Sequence, residues 1–164
     1  MAARKGSGKQ AAPAGSVGRG EFVVYPGGPT AIYDFLERLS AAADDAPEYG
    51  TPGISLDRKR LTVRWFGDPP AAVQRVLDGA QGFELTLVPT DFCPADLRAE
   101  ADRLLAGHPG LVTSARERPE GDGVELLVAP AAVDAAGSAD AALAAAGVGS
   151  SFPLFAEAGE APAP

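Results

Sequence analysis

The most reactive side chain in this sequence is Cys93, the only cysteine. A thiol just before a helix start is favoured as thiolate by the helix dipole, and its natural base would be the only histidine, His108. The two residues flank a predicted helix of roughly 14 residues, which at about 1.5 Å per residue holds them about 20 Å apart. A Cys–His dyad needs about 3 Å, so catalysis by this pair is not expected. We interpret Cys93, with Asp96, as a serine-like N-terminal cap of the helix. No serine lies in a nucleophile-elbow setting, so a catalytic triad with His108 is not expected either, and we interpret His108 as a C-terminal cap.

Metal and phosphate sites are not predicted either. One cysteine and one histidine cannot form a zinc or iron site without several carboxylates. The acidic clusters Asp44-Asp45-Glu48 and Glu120-Asp122 lack the spacing of a calcium loop, and we expect them to be solvated. Gly6-Ser7-Gly8-Lys9-Gln10 resembles the end of a phosphate-binding loop, but the upstream glycine and the Ser or Thr after Lys9 are missing. We therefore expect no catalytic residue, no cofactor and no metal.

The charges separate a basic N-terminal tail from an acidic remainder. The chain carries 14 basic and 22 acidic residues, a formal net charge of −8, which disfavours binding of nucleic acid by the main body. Residues 1–20 hold Arg4, Lys5, Lys9 and Arg19 and no acid, so nucleic acid is expected to be contacted only through this tail, if at all. No stretch has the apolar length of a signal peptide or a membrane span, so the expected location is the cytoplasm, with a virion as the alternative.

Hydrophobic periodicity divides the 164 residues into four segments. They are a disordered basic tail (1–20), a strand at Glu21–Tyr25 followed by an amphipathic helix (21–49), an α/β core domain (50–130) and an Ala/Pro-rich segment with an edge strand near Leu154 (131–164). The N-terminal helix is indicated by the helical spacing of Ile32, Phe35, Leu36 and Leu39. Ala131 to Ala146 is compatible with either a helix or a linker.

The core domain is predicted to have the order ββαβαββ. The elements are a hairpin at 54–66, a helix that begins at Asp68 and Pro69 and buries Val73, Val76 and Leu77, a strand at 83–87, a helix from Pro94 with the stripe Leu97, Ala101, Leu104 and Leu105, and a hairpin at 111–129. Helices that alternate with strands in this way cover one face of a mixed sheet. The fold class is therefore α/β (α+β), a two-layer sandwich with an extra N-terminal helix.

A candidate partner-contact spot lies at Arg64, Trp65 and Phe66. Because successive residues of a strand point to opposite faces, one of the two aromatic side chains is expected in the core and the other at the surface. An exposed aromatic beside an arginine is typical of a protein-contact surface.

Three stretches carry a family resemblance: Gly53-Ile54-Ser55-Leu56-Asp57, Leu61 to Val73, and Thr90-Asp91-Phe92-Cys93-Pro94-Ala95-Asp96-Leu97. Together with the hairpin from Val112 to Val128, they resemble an actinobacterial extracellular module that is similar to the pro-region of α-lytic and streptogrisin-type serine proteases. The resemblance covers about half of the chain and implies the role of a folding chaperone and inhibitor. The chain departs from that pattern because neither a secretion signal nor a downstream protease domain is expected.

The sequence predicts a non-enzymatic protein-interaction or assembly module whose sheet or edge strand contacts an unknown protein partner. The alternative is a structural subunit of a virion or another large assembly, in which the two ends thread between neighbouring subunits. A second alternative is a cysteine-dependent enzyme. No membrane contact is expected, and the formation of a homo-oligomer is left open.

Overall fold

The structure is a computed structural model that describes residues 31–160. Its first half, residues 31–90, contains α1 (Ala31–Ala43), β1 (Gly53–Ile54), β2 (Arg60–Trp65), α2 (Ala71–Asp78) and β3 (Glu84–Pro89). Its second half, residues 91–160, contains α3 (Pro94–Gly107), β4 (Val112–Glu117), β5 (Val124–Val128), α4 (Pro130–Ala136), α5 (Ala139–Ala145) and β6 (Leu154–Ala158). The predicted α/β class with an N-terminal helix is confirmed. The basic tail and the strand expected at Glu21–Tyr25 lie outside the described residues.

One topology occurs twice along the chain. In each half a helix is followed by an antiparallel strand pair, β1/β2 or β4/β5, and a helical crossover then leads to a third strand parallel to the second. The result is two separate three-stranded sheets, ordered β1-β2-β3 and β4-β5-β6, where the sequence indicated helices over a single mixed sheet. The second crossover contains two short helices, because Gly137 adopts a left-handed conformation (φ 88°) that ends α4.

The first half buries its own apolar core between α1, α2 and β2. Of the predicted stripe of α1, Ile32, Phe35 and Leu39 are fully buried, and Leu36 is partly buried against the same core. Leu61, Val63 and Trp65 line the buried face of β2 at alternate positions, as a half-covered strand requires.

The prediction for the start of α2 is wrong. The cap residue is Pro70 in an extended conformation (φ −59°, ψ 156°), with no side-chain cap, and the helix begins at Ala71. Pro69 directly precedes Pro70, and the steric clash with a following proline disfavours the helical region, so Pro69 stays outside the helix and Asp68 lies too far from its first turn to cap it.

The second half buries a separate core between α3, β5 and α5. Leu97, Ala101 and Leu104 face inward from α3, whereas Leu105 of the predicted stripe is 38% exposed. The buried side of β5 consists of Val124, Leu126 and Val128. The segment that was compatible with helix or linker forms α4 and α5, and α5 adds Ala142 and Leu143 to this core.

The two halves meet where the first sheet ends and α3 begins. The Pro47 carbonyl accepts hydrogen bonds from the Ala95 amide (3.1 Å) and from Cys93 Sγ (3.3 Å). In the same region the Thr90 amide donates to the Trp65 carbonyl (3.1 Å), and the Phe92 amide donates to the carbonyl of Gly121 (3.2 Å). Main-chain hydrogen bonds therefore anchor the segment that links the halves at both of its ends.

Candidate functional site

Cys93 and His108 occupy opposite ends of α3. Cys93 is the N-cap residue and His108 the C-cap residue of this 14-residue helix, which at about 1.5 Å per residue separates them by about 20 Å. The predicted C-terminal position of His108 is confirmed. The predicted capping by the Cys93 side chain is wrong, because Sγ donates to the Pro47 carbonyl instead and makes no bond to the helix. The structure does not bring the thiol and the imidazole together.

The acidic side chains near the β4–β5 turn pair with an arginine. Asp122 accepts a hydrogen bond from Arg118 Nε at 2.8 Å, and Glu120 lies 3.6 Å from the same guanidinium. That guanidinium also stacks 3.8 Å from the ring centroid of Phe155 on β6. Within residues 31–160 no group of three or more His, Cys, Asp or Glu side chains is placed to hold a metal ion. The stack of Arg118 on Phe155 connects the β4–β5 turn to β6.

The carboxyl group of Glu100, on α3, has a strongly lowered pKa. Hydrogen bonding by Arg103, and to a smaller extent by Ser150, lowers the pKa of Glu100 to about 2. Arg103 also donates to the Gly149 carbonyl at 2.8 Å. The contacts of Glu100 with Ser150 and of Arg103 with Gly149 connect α3 to the loop before β6, and the ion pair with Arg103 accounts for the lowered pKa of Glu100.

The three predicted partner-contact residues are divided between core and surface. Trp65 is 1% exposed and packs beside Tyr49, with ring centroids 5.9 Å apart. The Arg64 guanidinium donates to the Thr51 carbonyl at 3.1 Å, and Phe66 is 39% exposed. Because β2 is the central strand of its sheet, its backbone is already paired on both sides. Of the three side chains, Phe66 offers apolar surface to a partner.

The outer edge of β3 has no neighbouring strand within residues 31–160. The amides of Glu84 and Thr90 donate to the Lys59 and Trp65 carbonyls, so the even-numbered residues of β3 face β2. The N–H and C=O groups of one residue point to the same side of a strand, and the sides alternate. Leu85 and Leu87 therefore direct their backbone groups outward, where no strand within residues 31–160 pairs with them.

The side chains of β3 also favour an added strand. Between Glu84 and Pro89 the sequence Leu-Thr-Leu-Val carries no charge, and the six-residue register with β2 has no bulge. Leu87 lies in register with buried Val63, yet it is 41% exposed because the sheet ends at this strand. Lysine, proline, bulges and inward charges are the usual devices that prevent pairing at an edge, and the middle of β3 has none of them.

The other long edges differ from that of β3. Strand β4 has an irregular register between Val112 and Ser114 and carries Arg116 and Glu117. Strand β6 carries Glu157 and follows Pro153. Both features make the addition of a further strand less favourable than at β3, so β3 is the strongest candidate contact and β6 is a weaker one.

A polar groove of about 380 Å³ adjoins β3 on the uncovered face of the first sheet. Glu84 and Thr86 of β3 line it on one side, and Arg60 and Thr62 of β2 line it on the other. Sequence reasoning missed β3 as a contact element. The uncharged run from Leu85 to Val88 was visible, but periodicity cannot show whether a strand is central or at an edge.

No helix within residues 31–160 has the length and apolar character needed to cross a membrane. No protein-family model matches the chain, and no curated protein matches it. The resemblance to protease pro-regions therefore stays a prediction.

Proposed function

We propose that this protein is a non-enzymatic protein-interaction module that binds an extended segment of a partner protein along the outer edge of β3. The single observation that carries the proposal is the edge itself, where Leu85 and Leu87 direct backbone groups outward and no strand within residues 31–160 pairs with them. Strand addition would satisfy these groups, since main-chain hydrogen bonds supply affinity and alternate side-chain positions supply specificity.

The side chains around the edge indicate the chemistry of the partner. Leu87 offers apolar surface on the helix-covered face, and the groove beside Glu84 and Arg60 offers one charge of each sign on the other face. A partner strand that alternates apolar and polar residues matches both faces at once.

The test uses two leucines of nearly equal exposure. Leu87→Lys places a charge at the edge of the sheet, whereas Leu105→Lys places the same charge on α3, where the exposure is 38% against 41% at Leu87. A tagged full-length chain should retain its partner in a pull-down as wild type and as L105K, and should lose it as L87K. The amides of Leu85 and Leu87 should also exchange more slowly in the complex. Retention of the partner by L87K would contradict the proposal.

A second candidate function is that of a structural subunit in a virion or another large assembly. It is favoured by β6, which is a second strand at the edge of a sheet and lies in the other half of the chain. Two edges on one chain allow contact with two neighbours, which is what an open assembly needs. Gel filtration at increasing concentration separates the two functions, because only the assembly subunit would form species that grow beyond a defined complex.

A further inference from the structure

The charged residues of β3 and of its two flanks are all acidic. The stretch 76–97, which contains β3, carries four acidic residues and no basic one. The four are Asp78, Glu84, Asp91 and Asp96. Residues 31–160 as a whole carry 21 acidic and 10 basic residues. Because opposite charges steer two proteins together and like charges keep wrong partners apart, this edge favours a segment with a positive charge.

Glu84 is the charged residue of β3 itself, and its carboxylate is not neutralised within residues 31–160. Its side chain lies at the rim of the polar groove, on the uncovered face of the first sheet. Arg60 is its neighbour in the register between β2 and β3, yet no basic side chain of the described part of the chain forms an ion pair with Glu84. A cation on a strand that pairs with β3 would meet this carboxylate directly.

Arg60 does not cancel this attraction, because it lies one strand further in, on the central strand β2. Neighbouring strands lie about 4.8 Å apart, so a cation on an added strand would be one such spacing from Glu84 and two from Arg60. The Debye length at physiological ionic strength is about 8 Å, so the more distant charge is screened more strongly. The attraction to Glu84 therefore outweighs the repulsion from Arg60.

The alternation of faces along β3 determines which side chain meets which residue of an added strand. Leu85 and Leu87 are in register with the buried side of β2 and lie on the helix-covered face, whereas Glu84 and Thr86 line the groove on the other face. An added strand therefore needs apolar residues beside the two leucines, a polar residue beside Thr86 and a basic residue beside Glu84.

The direction of the added strand decides the order of these residues. Antiparallel pairing is slightly more stable per residue than parallel pairing, and mixed sheets often end in an antiparallel edge strand. In an antiparallel pair, Leu85 and Leu87 would each exchange two main-chain hydrogen bonds with the residue opposite, because their N–H and C=O groups point outward. The residue beside Leu87 then comes first in the partner and the residue beside Glu84 comes last.

We propose that the partner segment pairs antiparallel with β3 and carries, from its N-terminal side, the pattern apolar–polar–apolar–basic. The two apolar residues lie beside Leu87 and Leu85, and the basic residue lies beside Glu84. This inference rests on the function proposed above, because it names the chemistry of the segment that adds to the edge. A parallel segment would need the reverse order, with the basic residue first.

An NMR titration of the full chain with synthetic peptides tests the pattern. The probe is a short peptide with Val-Thr-Val-Lys at its centre, flanked by serines and glycines. One control peptide has Gln in place of Lys, and the other has the four residues in reverse order. The amide signals of Leu85 and Leu87 should shift on binding. Since exposed ion pairs are weak, the Lys peptide should bind about 1.5- to 5-fold more tightly than the Gln peptide.

Two variants of the chain locate the charge that recognises the lysine. Glu84→Gln and Asp102→Asn each remove one negative charge, and Asp102 is an exposed residue of α3 in the other half. The preference for the Lys peptide over the Gln peptide should disappear in E84Q and persist in D102N. High salt should reduce the preference in wild type, because exposed charges are screened.

Three results would overturn the pattern. The first is equal affinity of wild type for the Lys and Gln peptides, or a preference that persists in E84Q and so comes from the net charge of the chain. The second is tighter binding of the reverse-order peptide, which would assign a parallel segment. The third is a wild-type chain that binds none of the peptides.

The variant L87K separates a failure of this inference from a failure of the proposed function. If L87K loses its partner while wild type does not distinguish the Lys and Gln peptides, the edge binds the partner through another pattern and only the inference fails. If L87K retains its partner while wild type prefers the Lys peptide in the expected order, the edge recognises the pattern but the partner binds elsewhere, and the proposed function fails.

Discussion

Gly121 offers the sharpest test of the junction between the two halves. It has a positive φ of 74°, and a Cβ at this position would lie 2.5 Å from Thr90 Cβ and still closer to Thr90 Cγ2. The Thr90 side chain has little freedom to move away, because it is 7% exposed and its hydroxyl donates to the Phe92 carbonyl at 3.0 Å. Gly121→Ala therefore strains the backbone and forces the halves apart.

A matched control separates the two contributions to the cost of Gly121→Ala, which are the backbone strain and the steric overlap with Thr90. Gly110 also has a positive φ, 81°, but nothing lies within 4 Å of the position of its Cβ. Gly110→Ala should cost only the left-handed backbone strain, about 1 to 2 kcal/mol. Gly121→Ala should cost this strain and about 1 to 3 kcal/mol of overpacking in addition.

Urea unfolding provides the assay. Trp65 is the only tryptophan and lies in the core of the first half. Its carbonyl accepts a hydrogen bond from the Thr90 amide, so its fluorescence reports on the half of the chain that faces Gly121. Thr90→Gly removes the side chain that the new Cβ would meet. In a double-mutant cycle, the combination with Gly121→Ala should therefore show a favourable coupling energy that offsets most of the overpacking cost. The close approach of the halves is refuted if Gly121→Ala costs no more than Gly110→Ala.

Two further substitutions test contacts within the second half. The pKa of Glu100 is about 2 in the folded chain against an ordinary 4.5, so its stabilising effect is complete above about pH 4.5 and is lost as the pH falls toward 2. Glu100→Gln should therefore flatten the decline in stability over this window, and unfolding curves at pH 2 to 6 would show it; an unchanged slope would contradict the assignment to Arg103. Arg118→Lys keeps the charge beside Asp122 but loses the planar stack on Phe155, and it should cost about 0.5 to 2 kcal/mol in urea unfolding, whereas no loss would mean that the stack contributes nothing.

Local sequence signals predicted most of the elements because each signal involves neighbouring residues. The stripe Ile32, Phe35 and Leu39 repeats with the helical period and is buried as a unit. Gly137 ends α4, as a glycine in a left-handed conformation does. The segment from Ala131 to Ala146 is compatible with helix or linker from its sequence, because an alanine-rich segment has few large apolar side chains to mark a buried face. The predicted start of α2 is wrong because two successive prolines follow the favourable cap type Asp68, and the first of them is kept out of the helical region by the second.

The candidate site could not be predicted in the same way. Trp65 and Leu87 are both apolar residues on strands with alternating patterns, yet one is 1% and the other 41% exposed. The difference arises from strand order, since β2 is central and β3 lies at an edge, and strand order depends on pairing between residues that are distant in the chain.

By itself, the sequence indicated most of the helices and strands and their apolar faces, and it placed a helix between Cys93 and His108, because these properties depend on local periodicity and length. The tertiary structure decided that the strands of residues 31–160 divide into two sheets, that Trp65 is enclosed and that β3 is an edge strand among them. The physical reason is that each hairpin packs against its own preceding helix, and the two cores share no buried residue. Within residues 31–160 no strand lies beyond β3, yet Leu85 and Leu87 alternate with their neighbours as the buried residues of β2 do, so the local pattern does not distinguish the edge strand from the central one.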